Sequence, residues 1–114
     1  MSFHVNQRKT EGVTVLDLSG RIVLGEQTTQ LVDTLKELAA GGEKKILLNL
    51  SEVTYVDSAG LGALVRAHTA VTQQEGQVKL FNVPVKVQTL LRITKLNNLF
   101  QSFEDEASAL KGFD

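Results

Sequence analysis

The chain has 114 residues, of which 42% are hydrophobic and 22% are charged, and its 12 basic and 13 acidic residues nearly cancel. This size and composition are typical of a globular protein with a single core, so we expect one domain over residues 1–114. The balanced charge, without a basic stripe, argues against nucleic-acid binding. The absence of cysteine excludes disulfides, thiol redox chemistry and thiolate metal sites.

Neither a signal peptide nor a membrane span is expected. Residues 1–7 have no charged leader region and no apolar stretch. No apolar run approaches the roughly 18 residues needed to cross a bilayer. We therefore expect a cytoplasmic protein with no membrane contact.

The first half of the chain predicts a hairpin, a helix and a central strand. Hydrophobic alternation predicts strands over Phe3–Thr10 and residues 13–19, with a turn at residues 11–12. Helical spacing then predicts a helix over Glu26–Ala40 that ends at two glycines. The nearly continuous apolar run over residues 45–50 predicts a strand that is covered on both faces.

The second half continues the alternation of helices and strands. It predicts a helix from Ser58 to about Gly76 and then a strand over Gln77–Phe81. The next predicted helix has Pro84 in its first turn and ends at residues 97–98. A short edge strand over residues 99–103 and a last helix that begins with residues 104–106 follow. This order predicts an α/β fold with a mostly parallel central sheet, an antiparallel edge hairpin and about four helices.

The most informative stretch of the chain is residues 55–62, with the sequence YVDSAGLG, and its part from Asp57 to Gly62, the DSAGLG segment, is the predicted surface feature. We expect Ser58 to be the N-cap of the second helix, with an accessible hydroxyl where backbone amides and the helix dipole favour negative charge. Gly60 and Gly62 each cost the helix about 1 kcal/mol relative to alanine. They indicate either close packing against the sheet or a surface that a partner or a substrate must approach closely.

Enzymatic chemistry is poorly supported. A serine hydrolase needs a histidine beside its nucleophile, whereas His68 lies ten positions along the same predicted helix, about 15 Å away, and His4 is on an edge strand. The residues around Ser58 also lack the first glycine of the G-x-S-x-G pattern. His68 is better interpreted as a core or half-buried residue on an amphipathic helix. No metal-ligand spacing, complete glycine-rich nucleotide loop or cofactor site is evident.

Residues 47–64, with the sequence LLNLSEVTYVDSAGLGAL, resemble the core of the STAS domain, and in particular the bacterial anti-sigma factor antagonists. The resemblance implies that the unmodified protein binds an anti-sigma factor that is also an ATP-dependent serine kinase, and thereby frees a sigma factor. It implies that this kinase phosphorylates Ser58 and ends the interaction, and that a serine phosphatase restores it. Asp57, Ser58, Gly60, Leu61 and Gly62 match the family motif and are implied to contact the partner.

Several features of the motif leave alternatives open. Ala59 replaces a serine that many STAS proteins have, and Asn49 replaces a common aspartate. The alternative function is a STAS accessory module in a transporter or a stress-signalling complex, with Ser58 unmodified. Asp57 either orients the serine hydroxyl or caps the turn, and we favour capping. Gly25 and Glu26 are expected near the same sheet edge and are predicted partner contacts.

Overall fold

The computed structural model describes residues 3–113; Met1, Ser2 and Asp114, which the predicted domain includes, lie outside the described residues. Within that range the chain forms, in order, β1 (Phe3–Thr10), β2 (Val13–Ile22), α1 (Glu26–Ala40), β3 (Lys45–Val56), α2 (Ser58–Thr72), β4 (Gln77–Phe81), α3 (Val85–Ile93), a 3₁₀ turn (Leu96–Asn98), β5 (Gln101–Phe103) and α4 (Glu106–Lys111). No helix in this range is both long enough and apolar enough to cross a membrane.

The five strands form one mixed sheet in the order β1-β2-β3-β4-β5. β1 pairs with β2 in the antiparallel sense, and each later pair of neighbouring strands is parallel. The predicted fold is therefore confirmed: a mostly parallel sheet, an antiparallel edge hairpin and four helices. Because the parallel strands end at the same edge, the starts of α1, α2 and α3 lie together there.

Two apolar clusters lie on opposite faces of the sheet. Three helices, α1, α2 and α3, pack on one face, and α4 packs on the other. The side chains of β3 alternate between these clusters, since Ile46 and Leu48 join the larger cluster and Leu47 joins the smaller one. This arrangement confirms that the central strand is covered on both faces.

Some element ends differ from the predicted ones. β2 continues to Ile22 and β3 to Val56, because the two strands keep pairing through two irregularities in register, although the second half of β3 is largely exposed. α2 ends at Thr72, earlier than predicted, and the turn that follows is closed by Gly76 N–H donating to Val71 O at 3.0 Å. The predicted edge strand over residues 99–103 is shorter, because its first two residues continue the 3₁₀ turn.

A cluster of ion pairs links α4 to the sheet. Arg8 on β1 donates to both carboxylate oxygens of Asp17 on β2, at 2.7 and 3.0 Å, and to both oxygens of Glu106 on α4, at 3.0 and 2.6 Å. Asn49 on β3 donates to Asp17 at 2.9 Å. The hydrogen bonds from Arg8 are the main reason that the pKa of Asp17 is lowered to about 2.

Candidate functional site

Asp57 joins two parts of the chain at the carboxyl end of β3. It is the N-cap of α2, and its Oδ1 accepts a hydrogen bond from Gly60 N–H at 2.7 Å. Its Oδ2 accepts from Leu24 N–H, in the loop before α1, at 3.1 Å. These backbone hydrogen bonds, that from Gly60 first, lower the pKa of Asp57. The carboxylate therefore holds the start of α2 against the start of α1, which agrees with the favoured capping role.

Ser58 is exposed and is the first residue of α2. The expectation that Ser58 is the N-cap is wrong, because Asp57 has the extended backbone (φ −94°, ψ −176°) and the capping hydrogen bond that define this position. The first helical residue is still a favourable place for an anion, since the positive end of the helix dipole lies there. Ser58 thus keeps the accessibility and the electrostatic setting that the sequence predicted.

The space around Gly60 differs from the space around Gly62, the other glycine of α2. A Cβ atom on Gly60 would lie 1.9 Å from the carbonyl oxygen of Ile22, so the close approach of α2 to β2 requires glycine there. A Cβ atom on Gly62 would meet only Nη1 of Arg66, at 3.5 Å, which is an ordinary contact. Packing therefore explains Gly60 and does not explain Gly62.

Gly25 and Glu26 lie at the start of α1, next to the residue that donates to Asp57. Gly25 is the N-cap of α1 and has φ of 135°, a conformation that favours glycine. Glu26 is exposed in the first turn of the helix. The hydrogen bond from Leu24 to Asp57 brings this loop to the DSAGLG segment, as the predicted grouping requires.

Other residues considered from the sequence lie away from the exposed surface of the site. Leu61 is only 6% exposed and packs in the larger core cluster, so it supports the start of α2 from beneath. His68 packs edge-on against Phe100, with ring centroids 5.1 Å apart, and burial lowers its pKa. This position agrees with the interpretation of His68 as a half-buried helix residue.

Three exposed apolar side chains near this sheet edge were not predicted to belong to the site. They are Leu24, at 78% exposure, Tyr55, at 50%, and Val85, at 76%. Tyr55 lies two residues before Asp57, where the DSAGLG segment begins, and Val85 is the first residue of α3. The exposure of these side chains depends on where β3 ends and where α3 begins. The only signal in the sequence is that Tyr55 lies within the informative stretch over residues 55–62.

The chain is similar to a known family model and to two named bacterial proteins. The family model of the STAS domain matches residues 4–109. An anti-sigma F factor antagonist from Paenibacillus polymyxa is 25% identical over 112 residues, which cover 96% of this chain and 94% of that protein. An anti-sigma-B factor antagonist from Staphylococcus aureus is 31% identical over 70 residues, which cover 61% of this chain and 65% of that protein.

A solved structure shows the same fold. The structure of the Bacillus cell fate determinant SpoIIAA in its phosphorylated form has a TM-score of 0.73 and 17% identity, and the match covers 99% of this chain and 100% of that chain. The family match runs from β1 to α4 and includes the DSAGLG segment. The chain therefore belongs to the STAS domain family.

Proposed function

We propose that this chain is an anti-sigma factor antagonist whose binding is switched off by phosphorylation of Ser58. The observation that carries the proposal is the exposure of Ser58 at the first residue of α2, beside a carboxylate whose two oxygens are already bonded to backbone amides. The names of the two relatives and the phosphorylated state of SpoIIAA support it. On this proposal the chain is a regulatory binding protein rather than an enzyme, and it acts in the cytoplasm.

In the proposed cycle the unmodified chain binds an anti-sigma factor and so releases a sigma factor. The anti-sigma factor is also a serine kinase, which transfers the γ-phosphoryl group of ATP to the Ser58 oxygen as that oxygen loses its proton, and ADP leaves. A serine phosphatase then hydrolyses the phosphate ester. The proposed contact surface consists of Ser58, the half-buried Gly62 and the loop at Gly25 and Glu26, with Asp57 holding these segments together.

The size of the electrostatic effects favours a switch in binding over a change in fold. A phosphate adds about −1.5 to −2 charges at pH 7. At an exposed helix N-terminus this charge is stabilising by about 0.3–1 kcal/mol, and repulsion from Asp57 opposes it. In an interface without a matching cation, a buried charge costs about 2–5 kcal/mol, which is a loss of about 30-fold to several-thousand-fold in affinity. Phosphorylation should therefore block docking and leave the domain folded.

Two serine variants test the proposal. Purified serine-kinase anti-sigma factors from the source organism should bind the wild-type chain and Ser58→Ala, and should bind Ser58→Asp at least about 30-fold more weakly. Circular dichroism should show the same fold for all three proteins. With ATP, the bound kinase should phosphorylate the wild-type chain and should not phosphorylate Ser58→Ala.

Two results would contradict the proposal. If Ser58→Asp bound as tightly as Ser58→Ala, the added charge would have no effect on docking. If the Ser58→Asp protein were unfolded, its loss of binding would have a different cause. If none of these kinases transferred phosphate to the wild-type chain, the result would instead favour an accessory module in which Ser58 is not modified.

A further inference from the structure

A groove of about 330 Å³ lies beside the DSAGLG segment, between the end of β3 and the start of α3. It exists because β4 ends at Phe81 and pairs with β3 only as far as Asn49, so that the rest of β3 has no strand on that side. The groove is lined by residues 53–56 and 84–87 and by Leu90, and most of these side chains are apolar.

The rim of the groove combines exposed apolar groups with positive charge. Val85 is 76% exposed and Tyr55 is 50% exposed, although both are large apolar side chains beside an apolar cavity. The guanidinium of Arg21 lies over the Tyr55 ring, 5.2 Å from its centroid, and Lys86 lines the groove. An apolar group with a neighbouring negative charge would complement this surface.

The groove is continuous with the proposed contact surface. Val56 lines the groove, and it is followed directly by Asp57 and Ser58. A partner that covers Ser58 can therefore extend over the groove within one continuous interface. This continuity favours the same partner for both surfaces.

We propose that the groove receives an apolar side chain of the anti-sigma factor, from a segment whose neighbouring acidic residue faces Arg21 and Lys86. This inference rests on the proposed function and adds the chemistry of the partner segment to it. The apolar side chain packs against Val85 and Tyr55, and the acidic residue sets the position of the segment. Raising the salt concentration should therefore slow association.

A pair of variants on α3 tests the groove. Val85→Glu puts a carboxylate on the rim, at the first residue of a helix, where the helix dipole favours negative charge and the fold should be kept. Ile93→Glu is the matched control, because Ile93 is also an exposed apolar residue of α3, at 72%, and does not line the groove. Binding to the purified anti-sigma factor kinases should weaken at least about 30-fold for Val85→Glu. It should stay within about twofold of wild type for Ile93→Glu.

A charge variant and a serine variant complete the test. Arg21→Gln should bind more weakly than wild type, and its association rate should depend less on salt. Wild-type binding by Val85→Glu, together with lost binding by Ser58→Asp, would overturn the groove proposal and leave the proposed function standing. If none of the kinases bound the wild-type chain, both proposals would fail. Equal losses for Val85→Glu and Ile93→Glu would also overturn the groove proposal, because the effect would not be local.

Discussion

Replacing Gly62 with alanine should stabilise the domain and weaken its binding to the anti-sigma factor. The new methyl group meets only Nη1 of Arg66, at 3.5 Å, so the fold has room for it. Alanine is more favourable than glycine inside a helix by about 1 kcal/mol. For a domain of this size, that gain raises the melting temperature by about 4 °C.

Gly60→Ala is the matched control, because it makes the same chemical change two residues earlier in α2. Its methyl group would lie 1.9 Å from Ile22 O and 2.8 Å from Ile22 C, which are backbone atoms. The cost should be at the upper end of the ~1–3 kcal/mol that overpacked cores show, or beyond it. The melting temperature should therefore fall by about 10 °C or more.

Calorimetry and a binding titration together check the prediction for Gly62→Ala. Gly62→Ala should melt higher than wild type and should bind the anti-sigma factor at least about fivefold more weakly, since a methyl group in a close contact costs about 1 kcal/mol or more. A lower melting temperature for Gly62→Ala would refute the packing argument. Unchanged affinity would show that the partner does not approach the helix at Gly62.

Two further predictions concern carboxylates. Because its folded-state pKa is lowered from 3.8 to about 2, Asp17 should contribute about 2 kcal/mol of stability that is complete above about pH 4 and is lost as the pH falls towards 2. Urea midpoints across this range should fall less steeply for Asp17→Asn than for wild type, and parallel curves would contradict the prediction. Asp57→Ala, which removes the acceptor for Gly60 N–H and Leu24 N–H, should melt below wild type at pH 7. Equal melting temperatures in calorimetry would show that these hydrogen bonds do not stabilise the fold.

The fold was predictable because its signals are local. Strand alternation, helical spacing and the glycines that end α1 gave the order of the elements, and the DSAGLG segment gave the position of the candidate site. The choice of N-cap was not predictable in the same way, because Asp57 and Ser58 are both good capping residues and stand side by side. Only the backbone conformation of Asp57 and the position of Gly60 N–H decide between them.

Contacts between distant parts of the chain could not be predicted from the sequence. Arg8 and Glu106 are 98 positions apart, and Leu24 and Asp57 are 33 positions apart. The extension of β3 to Val56 also depends on pairing with β2, since its own residues there do not form an apolar run. The different roles of Gly60 and Gly62 became clear only from the distance between α2 and Ile22.

The hydrogen bond from Leu24 to Asp57 makes the proposed contact surface a conformational one, formed by two distant segments of the chain. One carboxylate oxygen organises its own helix, and the other holds a loop that comes from a distant part of the chain. A linear peptide that spans the DSAGLG segment would therefore lack half of this surface. A partner that recognises both halves discriminates folded chains from unfolded ones at the moment of binding.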